Sequence, residues 1–194
     1  MTQASPIQTS VAPSALSIWD IDPAHASASF RVRHLMVSHV RGQLGPVSGT
    51  VWLDARDPSR SRVRVSIDTR GIDTREPKRD EHLRSGDFFD VDRYPEVSFE
   101  STRVEPQPDG SLLVTGNLAI RDVTRSVLLE VDPIPPAVKD PWGNTKRGAT
   151  ARATLDRKDF GLTWNMALEA GGVVVGDRVA VDIEVELVER KQAT

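Results

Sequence analysis

Cysteine is missing from all 194 residues. The chain therefore has no disulfide, no thiolate nucleophile and no cysteine-ligated metal, which suits a reducing compartment. Long apolar runs are missing too. No window approaches the roughly 18 apolar residues a spanning helix needs, so stable membrane insertion is not expected. No single charge sign dominates: 25 basic residues face 28 acidic ones, for a formal net charge of −3. The two are interleaved, as in Arg75-Glu76-Pro77-Lys78-Arg79-Asp80-Glu81, which is the pattern of a solvated mixed face rather than a nucleic-acid stripe. No Gly-x-Ser-x-Gly elbow is present. Gly171-Gly172 and Val175-Gly176-Asp177 do not form a phosphate cradle, and Gly176-Asp177, ahead of a long apolar alternation, reads as a hairpin turn. Met1–Ser17 lacks the basic and apolar regions of a secretory signal. The expectation is a cytoplasmic protein with a disordered tail over 1–17 and one domain over 18–190.

What the chain does have is alternation with period 2. Ala28, Phe30, Val32 and His34 share one side of a run, as do Val63, Val65 and Ile67. The same holds for Leu112, Val114, Gly116, Leu118 and Ile120, for Ala149–Leu155, and for Val179–Leu187. Each run turns one apolar face inward and one polar face to water, as an antiparallel sheet requires. Less regular strands fit at 37–44, 47–54, 97–105 and 126–132. Gly45-Pro46, Asp57-Pro58-Ser59 and Pro106–Gly110 mark turns, and Pro133–Gly143 a longer connection. Eight or more strands joined this way predict a barrel or sandwich. A closed barrel has no free edges and at about eight strands can hold a ligand.

Two segments break the pattern, Asn165–Gly172 and a short amphipathic helix near 78–86. Gly86 stands where a positive-φ helix cap belongs. Phe88-Phe89 follow, and with Leu83 they are expected to close one mouth of the barrel. Phe30, Val32, Val65, Ile67, Phe99, Leu118, Ile120 and Leu129 are expected to face the lumen. Phe160 and Trp164 are read as further lining, core packing being the alternative for each aromatic. His34 shares the inward face and is a candidate for orienting a ligand head, against the plainer role of a hydrogen-bonded core histidine. His34 and His39 are five apart and converge on a metal only if a turn lies between them, with no clear third ligand. No metal or other cofactor is expected. An enzyme using His34 or His82 is the rival functional reading, although no activated nucleophile accompanies either.

Five ordered segments carry a resemblance to a known family: Trp19–Ala26, Val32–Gly42, Asp80–Phe89 with Tyr94-Pro95, Gly116–Thr124, and Leu155–Leu162. The chain resembles the YceI-like proteins, lipocalin-like barrels that bind polyisoprenoids. The resemblance implies an all-β, eight-stranded antiparallel lipocalin-like barrel with a short helix near one opening. It implies no catalytic residues. The partner it implies is a long isoprenoid lipid in the lumen, of isoprenoid quinone or prenyl phosphate type, with lipophilic antibiotics as an alternative cargo. Many members are periplasmic, and this chain departs from them in showing no signal. Whether it forms a homodimer is left open.

Overall fold

The computed structural model describes residues 16–167 and 171–191. Among the described residues, ten strands form one antiparallel sheet: β1 (Leu16–His34), β2 (Ser38–Gln43), β3 (Val47–Asp54), β4 (Arg62–Asp68), β5 (Glu96–Pro106), β6 (Leu112–Ile120), β7 (Val123–Val131), β8 (Val138–Lys139), β9 (Thr145–Asp156) and β10 (Val175–Glu189). The order β10-β1-β3-β4-β5-β6-β7-β9 closes on itself because β9 also pairs with β10, giving an eight-stranded barrel. β2 and β8 lie outside that circuit as hairpin partners of β1 and β9. Closure between β7 and β9 is narrow, resting on Glu130 opposite Arg152 and Val131 opposite Ala151.

β1 is much longer than its alternating stretch because it serves three partners. Leu16–Asp20 pairs with β3, Ser29–His34 pairs with β2, and β10 runs along the other edge. Between Ile21 and Ala26 the register with β10 slips. Pro23 sits in this bulge, where a ladder N–H is not needed, and Asp22 accepts a hydrogen bond from the Ala24 amide there. The bulge breaks the period-2 signal, which is why the first half of β1 is poorly visible in the sequence. β1 begins at Leu16, two residues inside the stretch read as a tail; the rest of that stretch, 1–15, lies outside the described residues.

Three further readings need correction. The helix α1 spans Pro77–Arg84 and ends on Ser85 in an extended conformation, not on a positive-φ Gly86. Both the amide and the hydroxyl of Ser85 donate to the His82 carbonyl, satisfying a group that a glycine cap would otherwise satisfy. Gly176-Asp177 is not a turn but the start of β10; Gly176 is small because the Arg33 side chain of β1 passes close to it. The Pro133–Gly143 connection contains the two-residue strand β8.

An isolated eight-residue helix is marginal in water. Here it is held by polar staples more than by an apolar face. Pro77 opens it and Glu76 caps it. The buried Asp80 carboxylate accepts from the Thr74 amide at 2.9 Å, and the Arg79 guanidinium donates to the Thr74 carbonyl at 2.9 Å. Arg84 donates to the carbonyls of Arg70 and Ile72, tying the helix end to the loop after β4.

Candidate functional site

Inward-facing side chains of the barrel leave a cavity of about 170 Å³ at the end where α1 lies. A second cavity of about 110 Å³ occupies the opposite end. Val65, Phe99, Leu129 and Ile183 line both, so these side chains stand between two apolar cavities inside the barrel. Two glycines make room for aromatic rings against the wall. A Cβ on Gly42 would come within 2.6 Å of the Phe30 ring, and one on Gly116 within 2.4 Å of the Phe99 ring.

The structure places most of the sequence-identified residues around the first cavity. Phe30 and Val32 of β1, Val65 and Ile67 of β4, Phe99 of β5, Leu118 and Ile120 of β6, and Leu129 of β7 form its wall. Leu83, Phe88 and Phe89 cover its end, and Phe160 lies beside it from the turn that follows β9. The plug is pinned: the Phe89 amide donates to the Leu83 carbonyl at 3.0 Å, and Arg121 reaches the Phe88 carbonyl at 3.3 Å.

His34 and Trp164 are not part of the cavity lining. His34 keeps the inward parity but falls at the last position of β1, opposite Ser38, past the cavity rim. His39 pairs with Arg33 on the outer face, so the two histidines stay on opposite sides even with the intervening turn. Trp164 packs against the outside of the plug. Its ring meets His82 edge-on at 4.6 Å and Phe88 at 5.5 Å. His82 stands between Trp164 and Phe88 and reaches the Asp87 carboxylate from Nε2 at 2.9 Å. The nearby Ser85 hydroxyl is turned away, donating to a backbone carbonyl.

Several lining residues escaped sequence reasoning. Leu155, Val179, Val181 and Ile183 belong to alternating runs and were readable there; Leu44, Leu162 and Arg157 sit in irregular segments. Among the described residues, Arg157 is the one charged residue lining this first cavity and is itself buried. Its guanidinium is spent on the protein, donating to the carbonyls of Gly176, Leu162, Trp164 and Val175 and to the Asp177 carboxylate. It ties the 161–165 segment to β10 and offers the lumen no free donor.

Away from the lumen, Asp22, His25 and Glu186 bring ligand-type atoms within 4.8 Å of one another, a grouping the sequence did not suggest. A cation already serves this group. The Lys146 ammonium lies 2.6 Å from Glu186, 3.8 Å from Asp140 and 3.9 Å from Asp22. The hydrogen bond to Glu186 raises the lysine pKa above its ordinary value, which keeps the ammonium charged.

A YceI-like domain model matches residues 19–187. The chain belongs to the YceI-like family. A UPF0312 protein of Pseudomonas aeruginosa (strain LESB58) is 39% identical over 147 residues, covering 76% of each chain. A UPF0312 protein of Shewanella sp. (strain ANA-3) is 34% identical over 154 residues, covering 79% of this chain and 80% of the relative. Among solved structures, a YCEI protein of Campylobacter jejuni superposes with a TM-score of 0.68 at 27% identity, covering 81% of this chain and 90% of that one. A polyisoprenoid binding domain from Saccharophagus degradans, implicated in plant cell wall breakdown, superposes with a TM-score of 0.64 at 13% identity, covering 90% and 99%. That likeness concerns the fold. Among the described residues of this YceI-like barrel, no helix is long and apolar enough to cross a membrane.

Proposed function

We propose that this barrel binds the tail of a long isoprenoid lipid in its lumen and carries or sequesters it without chemical change. The observation that carries the reading is the character of the wall. It is overwhelmingly apolar: Arg157, the charged residue of the first cavity, is saturated by backbone carbonyls and Asp177, and Arg62, at the second cavity, is an exposed residue whose guanidinium lies over Trp52. Such a lumen favours a hydrocarbon tail and has nothing with which to hold a polar head, which stays at the mouth. The described lining residues include no carboxylate or histidine, and the one hydroxyl among them, Ser61, accepts from the Asp54 amide with no base in the lining to activate it, which favours a binding protein over an enzyme. The His82–Asp87 pair faces the plug's outer aromatic packing, where it braces Phe88. That the same fold occurs in a polyisoprenoid binding domain of Saccharophagus degradans agrees with this choice of cargo.

The energetics suit a tail of several units. Burial is worth about 0.8 kcal/mol per CH₂, hence about 4 kcal/mol per five-carbon isoprene unit. Association costs roughly 4–15 kcal/mol, so one buried unit at best matches the low end of that cost, and three or four, worth about 12–16 kcal/mol, exceed most of it. Mass spectrometry of lipid extracted from protein purified without denaturation tests the proposal. A polyisoprenoid near one per chain is the expected result. Protein that carries no lipid and takes up no added polyprenyl probe overturns it.

A further inference from the structure

The β1–β2 hairpin tip breaks a local rule. The Val37 amide donates to the His34 carbonyl at 3.1 Å, closing a turn whose central residues Leu35 and Met36 have φ of +51° and +60°. A turn with two positive-φ positions is ordinarily filled by Asn-Gly or a similar pair. Here it holds two large apolar side chains. They are not used for packing: Leu35 is 39%, Met36 50% and Val37 78% exposed. Met36 lies beside Gly172, and Met166, also exposed, belongs to the loop whose Val174 carbonyl accepts the Leu35 amide. The result is an apolar knob at the end of the barrel that holds the plug.

The charges behind the knob are of one sign. On the outer face Arg33 pairs with His39, and Arg31 with Arg41, placing like groups directly opposite each other. That arrangement is unfavourable within a sheet. After partial burial, Arg33, Arg31 and Arg41 hold the His39 pKa below its ordinary value. The nearer carboxylates of β10 are engaged elsewhere, Asp177 with Arg157 and Lys158 and Asp182 with Arg152. This local positive face stands on a chain of net charge −3.

We propose that this hairpin docks the barrel on an anionic lipid bilayer, with Leu35, Met36, Val37 and Met166 entering the interface and Arg31, Arg33 and Arg41 meeting lipid phosphates. The spacing fits. At about 3.3 Å per residue, Arg33 and His39 stand roughly 7 Å behind the tip and Arg31 and Arg41 roughly 13 Å behind it. Interfacial elements sink about 5–10 Å into the headgroup boundary, and long arginine side chains cover the remainder. Docking does not depend on which lipid fills the lumen. It goes beyond the carrier reading by naming the surface through which the plugged mouth is presented to a membrane.

Flotation of the full chain with vesicles tests it, comparing phosphatidylcholine alone with phosphatidylcholine containing about a third phosphatidylglycerol. Binding to the anionic vesicles, weakened by salt, is expected. Arg31→Gln with Arg41→Gln should weaken it about fivefold per arginine, and Val37→Asp on the order of tenfold. Leu35→Asn with Met36→Gly gives the turn the residues its backbone favours. This pair should raise the melting temperature while lowering vesicle binding, a combination that a purely structural tip does not produce. Trp142→Ala, which removes an 81% exposed side chain at the opposite end of the barrel, should change nothing. No binding by the parent, equal binding to neutral vesicles, or hairpin variants that bind like the parent overturn the proposal. So does a parent dimer that Val37→Asp converts to monomer without any vesicle binding, which would assign the face to self-association. Binding of a soluble fluorescent prenyl probe, measured on the same samples, separates failure of docking from failure of the cargo reading.

Discussion

Replacing Phe89 by alanine separates a gate from a brace. Phe88 and Phe89 are adjacent, but the structure gives them different work. Phe88 is buried at 7% exposure and packs against both His82 and Trp164. Truncating it removes core contacts and should cost about 3–5 kcal/mol of stability, a large share of the roughly 5–15 kcal/mol of a typical domain. Phe89 is half-buried, has no such aromatic partners, and lines the cavity. Its loss should cost stability less, about 1.5–3 kcal/mol. If its ring covers the bound tail, about 1.4 kcal/mol or more of that cover is lost from the complex, and release of a prenyl probe should accelerate tenfold or more. The assay is stopped-flow displacement of a fluorescent prenyl probe from folded Phe89→Ala, with urea unfolding run in parallel. A probe off-rate equal to the parent's, in a variant shown to be folded, refutes the gate. Phe88→Ala should show the reverse balance, with a large shift of the urea midpoint.

Other expectations follow from single contacts. Gly42→Ala places a methyl group against the Phe30 ring and the methyl of Thr74, which is buried and held by Asp80 and Arg79, so the Phe30 ring is the side that gives; displacing Phe30 into the lumen should weaken binding of long-tailed probes more than short ones in a titration series. Arg157→Gln leaves the carbonyls of Leu162 and Trp164 without the guanidinium that donates to them, at about 1–3 kcal/mol each when unpaired, so its melting temperature should fall steeply or the protein should fail to accumulate. Asp54 is buried, and the amides of Asp57 and Arg56 donate to its carboxylate and lower its pKa below 3.8. Its stabilising contribution is therefore complete above that value and is lost as pH falls through the depressed folded pKa; in urea midpoints measured from pH 5 downward, Asp54→Asn should flatten the acid limb and be less stable than the parent at pH 5.

The barrel was legible in the sequence because most of its strands bury one face, and a half-buried strand writes its geometry as alternation. Phe30, Val32, Val65, Ile67, Leu118 and Ile120 could be placed on the wall from that rule alone, and the lid from the helix with its phenylalanine pair. The misses share a physical origin. The first half of β1 was hidden by a bulge at Asp22–His25 that shifts the phase of the pattern. His34 was assigned by parity, which says which side a residue faces but not where the cavity ends. Trp164 and Arg157 lie in or next to an irregular segment, where no period exists to read. Gly176 reads as a turn in the sequence because small residues mark close approaches as well as reversals, and only the position of Arg33 distinguishes them.

The placement of β10 has a consequence for how the protein is made. This strand pairs with β1 along one edge, from Trp19 opposite Glu189 to His34 opposite Val175, and with β9 along the other, from Lys146 opposite Val188 to Asp156 opposite Arg178. It is both the last strand of the barrel to be synthesised and the stave that closes it. Until it leaves the ribosome, β9 lacks a long partner, and the apolar faces of the earlier strands form an open, water-exposed trough with a free edge on either side. Free edges beside apolar surface are templates for aggregation. Closure of the barrel therefore waits for β10, and the open trough that precedes it is the state of this chain most exposed to aggregation.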